Sequence, residues 1–164
     1  MHELSDWLTQ STLGDFIQRN SWVADWVVPS AQTVHIVCVS VVMTSMAMLD
    51  LRLLGLGAVR RPVADVANRL LPWMWYTLPV LLLTGMILTL IEPARELLSP
   101  AFQAKMIMLT IVCALTLSVQ RALRREPGFF ESRHFRAILT GALSLSLWVA
   151  ILSAGRWIAY IGQE

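Results

Sequence analysis

Four long apolar runs constrain this chain more than any other feature of its 164 residues. Each run holds about 20 residues, which at ~1.5 Å per helical residue is enough to cross the ~30 Å hydrocarbon layer of a bilayer. The runs cover residues 27–49, 70–91, 101–119 and 137–161. A hydrophobic fraction of 56% suits lipid better than it suits a small water-soluble domain. The sequence therefore predicts an all-α membrane protein, a four-helix bundle of transmembrane helices.

Two regions are predicted along the chain. Residues 27–161 form the four-span transmembrane bundle, and residues 1–26 precede it as an amphipathic segment. Within residues 3–19 apolar side chains recur among polar ones at helical spacing: Leu4, Trp7, Leu8, Phe16 and Ile17. This pattern predicts a short helix lying on the membrane surface.

Arginine placement predicts the orientation of the spans. Nine of the 13 Lys and Arg residues fall in the loops after the first and third runs. They are Arg52, Arg60, Arg61, Arg69, Arg121, Arg124, Arg125, Arg133 and Arg136. By the positive-inside rule these loops are cytoplasmic, so both termini face the periplasm of a bacterial inner membrane. The formal net charge of +2 reflects this topology and does not indicate nucleic-acid binding.

Polar and charged side chains recur inside three of the runs at a similar depth. Gln32 and His35 lie early in the first run, Lys105 early in the third, and Arg156 near the end of the fourth. A charge at mid-bilayer costs at least ~2.5–3.5 kcal/mol, so it is normally kept only where it faces a partner, a cavity or a ligand. The residues are therefore expected to converge on one pocket near the periplasmic face. Hydrogen bonding between helices by His35, and snorkelling of the two long cations to the headgroups, are the structural alternatives.

Several short motifs carry a family resemblance over residues 30–120. They are Asp50-Leu51-Arg52-Leu53-Leu54-Gly55, Pro72-Trp73, Thr84-Gly85 and Phe102-x-x-Lys105. With these motifs the chain resembles an uncharacterised family of small bacterial four-helix membrane proteins, which implies architecture only. Within the first motif, Asp50 and Arg52 are expected to pair with loop charges or to cap the helix end.

A second, more distant likeness concerns His35 and Lys105 alone. A histidine early in span one and a lysine early in span three are similar to the layout of the bacterial four-helix haem-binding protoporphyrinogen oxidases. The chain departs from the bis-histidine pattern of di-haem membrane cytochromes, because within the spans it offers only His35.

The expected cofactor is one haem b or, as an alternative, a quinone. His35 would be the metal ligand of the haem, with Lys105 and Arg156 on its propionates and Met46 or Met106 as a sixth ligand. His134 is excluded as a ligand because it lies at the cytoplasmic start of span four. For a quinone, His35 and Gln32 would donate hydrogen bonds to the ring oxygens.

Two further function classes stay open. A non-catalytic membrane anchor would use its outer surface to dock a partner protein or a second copy of the chain, with membrane lipids around it. Copper handling would use soft ligands, since thioether and thiolate groups favour Cu(I). The candidates in the spans are His35, Cys38, Met43, Met46, Met48, Met86, Met106, Met108 and Cys113.

Overall fold

The computed structural model describes residue 20 and residues 22–56, 61–91 and 99–161, without the side chains of residue 24 and residues 157–161. Across these ranges every regular element is helical. The helices are α1 Val28–Leu53, α2 Val63–Ile91, α3 Pro100–Arg125, α4 Phe129–Ser132 and α5 His134–Ile161. By length and composition α1, α2, α3 and α5 can each cross a membrane. The predicted all-α bundle of four apolar helices is confirmed.

The predicted surface helix over residues 3–19 lies outside the described residues. The described chain begins instead with a π-helical turn, Val23–Val27, which continues directly into α1. Pro29 lies in the first turn of α1, directly after this π-helical turn.

Gly55 ends α1 in a Schellman motif. Its φ of 77° lies in the left-handed region, which glycine adopts without a steric penalty. The amide of Leu56 donates to the Leu51 carbonyl at 2.9 Å, and the amide of Gly55 donates to the Arg52 carbonyl at 3.1 Å. The turn that ends α1 thus explains why the motif over residues 50–55 finishes with a glycine.

The end of the bundle where α1 and α3 finish and α2 and α5 begin is called the arginine end, and the opposite end the terminal end. At the arginine end α4 is bonded to the start of α2. Glu131 Oε1, on α4, accepts a hydrogen bond from the amide of Val63, the first residue of α2, at 2.8 Å. Arg133 holds the same loop, bonding Glu126 at 3.0 Å and lying 4.2 Å from the centre of the Phe129 ring.

The expected role of Asp50 as a partner of loop charges is wrong. Its side chain is only 1% exposed and lies inside the bundle. Arg52, by contrast, does bind the loop, because its Nε donates to the Arg61 carbonyl at 2.7 Å. Helical spacing explains the difference, since residues two apart on a helix point to different faces.

The helices pack as a row, α2–α1–α5–α3, and the row is not closed. α1 packs along both α2 and α5, and α3 packs along α5, while α2 and α3 touch only sparsely. The short connection between spans two and three predicts close neighbours, and the structure places a cleft between them instead. Trp75 Nε1 donates to Gln120 Oε1 at 3.2 Å and joins the two helices across it.

The densely packed core fills mainly the half of the bundle nearer the arginine end. Its members are Val42, Met46, Leu49, Leu53, Val63, Ala67, Leu71, Met74, Val112, Val119, Leu123, Phe130, Ala137, Trp148 and Ile151. The terminal half is more open, and its cavities surround the half-buried His35.

Candidate functional site

His35 and Thr84 hold α1 and α2 together in the terminal half of the bundle. His35 Nδ1 and Thr84 Oγ1 lie 2.9 Å apart. Gly85 faces the same ring, because a Cβ atom at position 85 would lie 3.4 Å from His35 Cε1, at contact distance. The imidazole ring therefore packs on α2 at Thr84 and Gly85.

The Thr84 hydroxyl assigns the tautomer of His35. Thr84 Oγ1 donates its single proton back to its own helix, with the Val80 carbonyl at 2.9 Å and the Leu81 carbonyl at 3.1 Å. In the tautomer that fits these contacts, the Thr84 oxygen accepts a hydrogen bond from His35 Nδ1–H. A neutral imidazole has one N–H, so His35 Nε2 keeps an electron pair that can bind a metal or accept a proton.

Two apolar cavities meet at His35. Cavity A measures about 480 Å³ and lies between α1, α2 and α3, at the cleft. Its lining residues are His35, Leu81, Leu82, Gly85, Met86, Leu88, Thr89, Phe102, Lys105, Met106, Leu109 and Gly155. Cavity B measures about 400 Å³ and lies toward α5. Its lining residues are His35, Ile36, Val39, Ser40, Val42, Met43, Leu78, Leu81, Lys105, Leu109, Trp148, Ile151, Leu152, Gly155 and Arg156.

Lys105 accompanies His35 at the junction of the two cavities. Both residues line both cavities, and the Lys105 ammonium is near enough to His35 for their charges to interact. A Cβ atom at Gly155 would lie 3.9 Å from Lys105 Nζ, so the small residue on α5 leaves room for the ammonium group. Arg156 lines cavity B beside it, with an exposed side chain.

The predicted site residues divide into two groups. His35, Lys105, Arg156 and Met106 line the cavities, whereas Gln32 is exposed and Met46 is only 2% exposed within the core. Met46 lies 11 residues, or ~16 Å along α1, from His35 and so belongs to the packed half. Gln32 and Met46 line neither cavity.

His134 lies at the arginine end, as predicted. Its Cε1 would be 4.0 Å from a Cβ atom at Gly55, the residue that ends α1. In the described ranges no group of three or more His, Cys, Asp and Glu side chains is placed to hold a metal ion. A metal at His35 would therefore depend on one histidine, together with thioethers or a cofactor.

Thr84, Gly85 and Phe102 also belong to the site, although their positions in the sequence predict no role for them beyond the resemblance. A usable signal was present for Thr84. It lies seven residues before the end of α2, and His35 lies seven residues after the start of α1, so antiparallel helices bring them to one depth.

The comparison with protein families gives one match, to a family of unknown function (DUF6644), over residues 5–161. The chain belongs to this family. No curated protein and no solved structure shows significant similarity to the chain. The expected membership of an uncharacterised family is thus confirmed, and the likeness to the haem-binding protoporphyrinogen oxidases stays a prediction.

Proposed function

We propose that this DUF6644 member is a bacterial inner-membrane protein that binds a single haem b, with His35 Nε2 as the axial ligand. The observation that carries the proposal is the hydrogen bond from His35 Nδ1 to Thr84 at 2.9 Å. Histidines that bind metals commonly donate their other ring N–H to a fixed acceptor, which sets the tautomer and the ring orientation. Thr84 supplies that acceptor.

The surroundings of His35 suit an apolar macrocycle that carries anionic groups. The two cavities measure about 480 and 400 Å³, within the ~300–1,000 Å³ range of ligand pockets, and their walls are mainly aliphatic side chains. Lys105 and Arg156 bring positive charge to the same walls, as propionate groups require. Haem, when bound, supplies one-electron chemistry.

Hydrogen-bonding chemistry favours haem over a quinone. The carbonyl oxygens of a quinone accept hydrogen bonds, so a quinone site needs donors. His35 uses its one N–H on Thr84, and Gln32 lines neither cavity. The donors on the cavity walls are then the cations Lys105 and, in cavity B, Arg156, which we assign to the haem propionates. An electron-pair donor at Nε2 instead matches an electron-accepting metal.

The positive-inside rule supports a position of this site near the periplasmic face. Arginines concentrate at the opposite end of the bundle, where Arg52, Arg124, Arg125 and Arg133 are found. The cleft between α2 and α3 is the side from which a membrane-soluble ligand would enter cavity A.

Copper(I) binding is the second candidate, and a specific observation favours it. Met86 on α2 and Met106 on α3 line cavity A together with His35, a soft ligand set for Cu(I). Met46 and Met48 do not contribute, since one is buried in the core and the other is 52% exposed.

An absorption spectrum and a metal analysis of the purified full-length protein test these proposals together. Cells supplied with a haem precursor should yield protein with a Soret band and iron in equal proportion to the chain. Absence of the band, both as purified and after titration with hemin, would refute haem binding. Stoichiometric copper without a Soret band would support the second candidate. If the protein contains neither iron nor copper, the membrane-anchor hypothesis is the one that is left.

A further inference from the structure

Three polar side chains are buried without a hydrogen-bond partner between α1 and α5. Asp50 is 1% exposed, Ser144 3% and Trp148 4%. The unsatisfied atoms are Asp50 Oδ2, Ser144 Oγ and Trp148 Nε1. Buried polar groups almost always have partners, because losing hydration without a replacement is costly. Three such atoms on one helix pair are suited to share a small hydrogen-bonding ligand.

The backbone holds these groups close together. A Cβ atom at Gly141 would lie 2.9 Å from the Asp50 carbonyl oxygen and 2.9 Å from Leu53 Cβ, so α1 and α5 are in direct contact there. One turn along α5, Ser144 is the polar neighbour that acts on the Asp50 carboxyl group. The two side chains nevertheless form no hydrogen bond of ordinary geometry.

Trp148 extends the cluster toward His35. It follows Ser144 by four residues and so lies on the same face of α5. Its ring also lines cavity B, which His35 borders at the other end. Asp50, Ser144 and Trp148 thus form a polar line that runs from cavity B into the packed half of the bundle.

The chemistry of the three groups selects the molecule that would fit. The indole N–H of Trp148 only donates, the Ser144 hydroxyl donates or accepts, and a carboxylate oxygen accepts. A metal cation would be repelled by the indole N–H. A water molecule can accept from Trp148 and donate to Asp50, and buried waters typically have two to four such partners.

We propose that Asp50, Ser144 and Trp148 bind a water molecule between α1 and α5, and that this site opens into cavity B. The proposal is independent of haem at His35. Asp50 is the one carboxyl group that is buried among the described residues. The bound water gives this group a route for hydrogen exchange with cavity B, which a dry interface would deny.

Several charged side chains at the arginine end are bonded elsewhere and not to Asp50. Arg52 Nε is directed to the Arg61 carbonyl, Arg133 bonds Glu126, and Glu131 accepts from Val63. His134 lies beside Gly55, at the surface.

Nuclear magnetic resonance of protein labelled with ¹⁵N-tryptophan in lipid nanodiscs tests the site. The indole N–H signal of Trp148 is assigned by its loss in Trp148→Phe. We expect a cross-peak between this N–H and water, which weakens in Ser144→Ala and disappears in Asp50→Leu. Trp75 is the matched control, because its indole already donates to Gln120.

The proposal is wrong if the wild-type Trp148 signal shows no contact with water. It is also wrong if the cross-peak is unchanged in Ser144→Ala, since the water would then be held by other groups. Ser144→Ala removes one oxygen atom and keeps the helix, so this arm remains informative if Asp50→Leu does not fold. Haem content plays no part in either readout.

Discussion

Thr84 decides what the histidine of this bundle can do. Its hydroxyl lies 2.9 Å from both His35 Nδ1 and the Val80 carbonyl, so it connects the imidazole ring to the α2 backbone. The ring orientation and the free electron pair of Nε2 both depend on this contact. A residue outside the expected ligand set thereby positions the proposed ligand.

We predict that Thr84→Val weakens cofactor binding while the helices remain folded. Valine keeps the shape of threonine but cannot accept from His35, and loss of such an outer partner typically costs about 10–100-fold in metal affinity. Hemin titration followed by absorption measures the effect. Thr110→Val is the matched control, because Thr110 is exposed and bonds only its own helix, at the Met106 carbonyl. Equal affinities in the two variants would show that Thr84 does not position the ligand.

Lys105→Met and Arg156→Met should each lower retention of the anionic cofactor. Methionine keeps most of the apolar stem and removes the charge, and a hydrogen bond to a charged group is worth about 1.5–3 kcal/mol. If both cations bind one ligand, the double variant should lose less affinity than the sum of the single losses. Strict additivity, with bundle stability unchanged, would mean that the two side chains serve separate roles at the membrane surface.

At the scale of single residues, the sequence identifies the charged residues of the site but not Thr84, the polar residue that contacts His35. His35, Lys105 and Arg156 lie at similar depth in three apolar runs, and all three line cavity B. The same reasoning cannot distinguish a cavity wall from a packed core, so Met46, on nearly the same helical face as His35, is assigned too readily. Thr84 was overlooked because a threonine in an apolar run is compatible with simple back-bonding to its helix.

The contact between α1 and α5 at Gly141 fixes the centre of the helix row. A Cβ atom there would lie 2.9 Å from both the Asp50 carbonyl oxygen and Leu53 Cβ, closer than side chains pack. Small residues at such crossings allow the backbones of membrane helices to approach.

We expect Gly141→Ala to destabilise the bundle by about 1–3 kcal/mol, the usual cost of inserting a methyl group into a packed interface. The thermal unfolding midpoint in detergent micelles should fall accordingly. Gly128→Ala is the control, because nothing lies within 4 Å of a Cβ atom at Gly128 and its φ of −88° suits alanine. An unchanged midpoint in Gly141→Ala would show that α1 and α5 can separate without cost.

Hydropathy predicts the existence of the four long helices but not their ends or their order in space. α2 begins at Val63 rather than near residue 70, because a helix continues past the lipid as long as its backbone is satisfied, here by Glu131. The length of the connecting loop likewise does not predict that α2 and α3 make few contacts. It depends on which faces of α1 and α5 offer the better packing surface.

Orientation in the membrane is a property of the whole molecule, and arginine placement predicts it. A reporter enzyme that is active only in the periplasm should work when fused after Glu164 and fail when fused after Arg125. Equal amounts of the two fusion proteins, measured by immunoblotting, provide the control. The opposite pattern of activity would place the His35 cavities on the cytoplasmic side.

The same end-to-end asymmetry separates the two histidines of the described chain. His35 lies among the open cavities of the terminal half, and His134 lies beside Gly55 at the arginine end. Of the two, only His35 lines the apolar cavities, together with Lys105. Replacement of each by alanine therefore compares one proposed ligand with a matched surface residue in the same protein.

The pyridine haemochrome content of wild type, His35→Ala and His134→Ala tests haem ligation by His35 most directly. We predict that His35→Ala purifies without haem, because the single axial ligand is lost, and that His134→Ala retains the wild-type amount. Haem content in His35→Ala equal to that of the wild type would contradict ligation by His35.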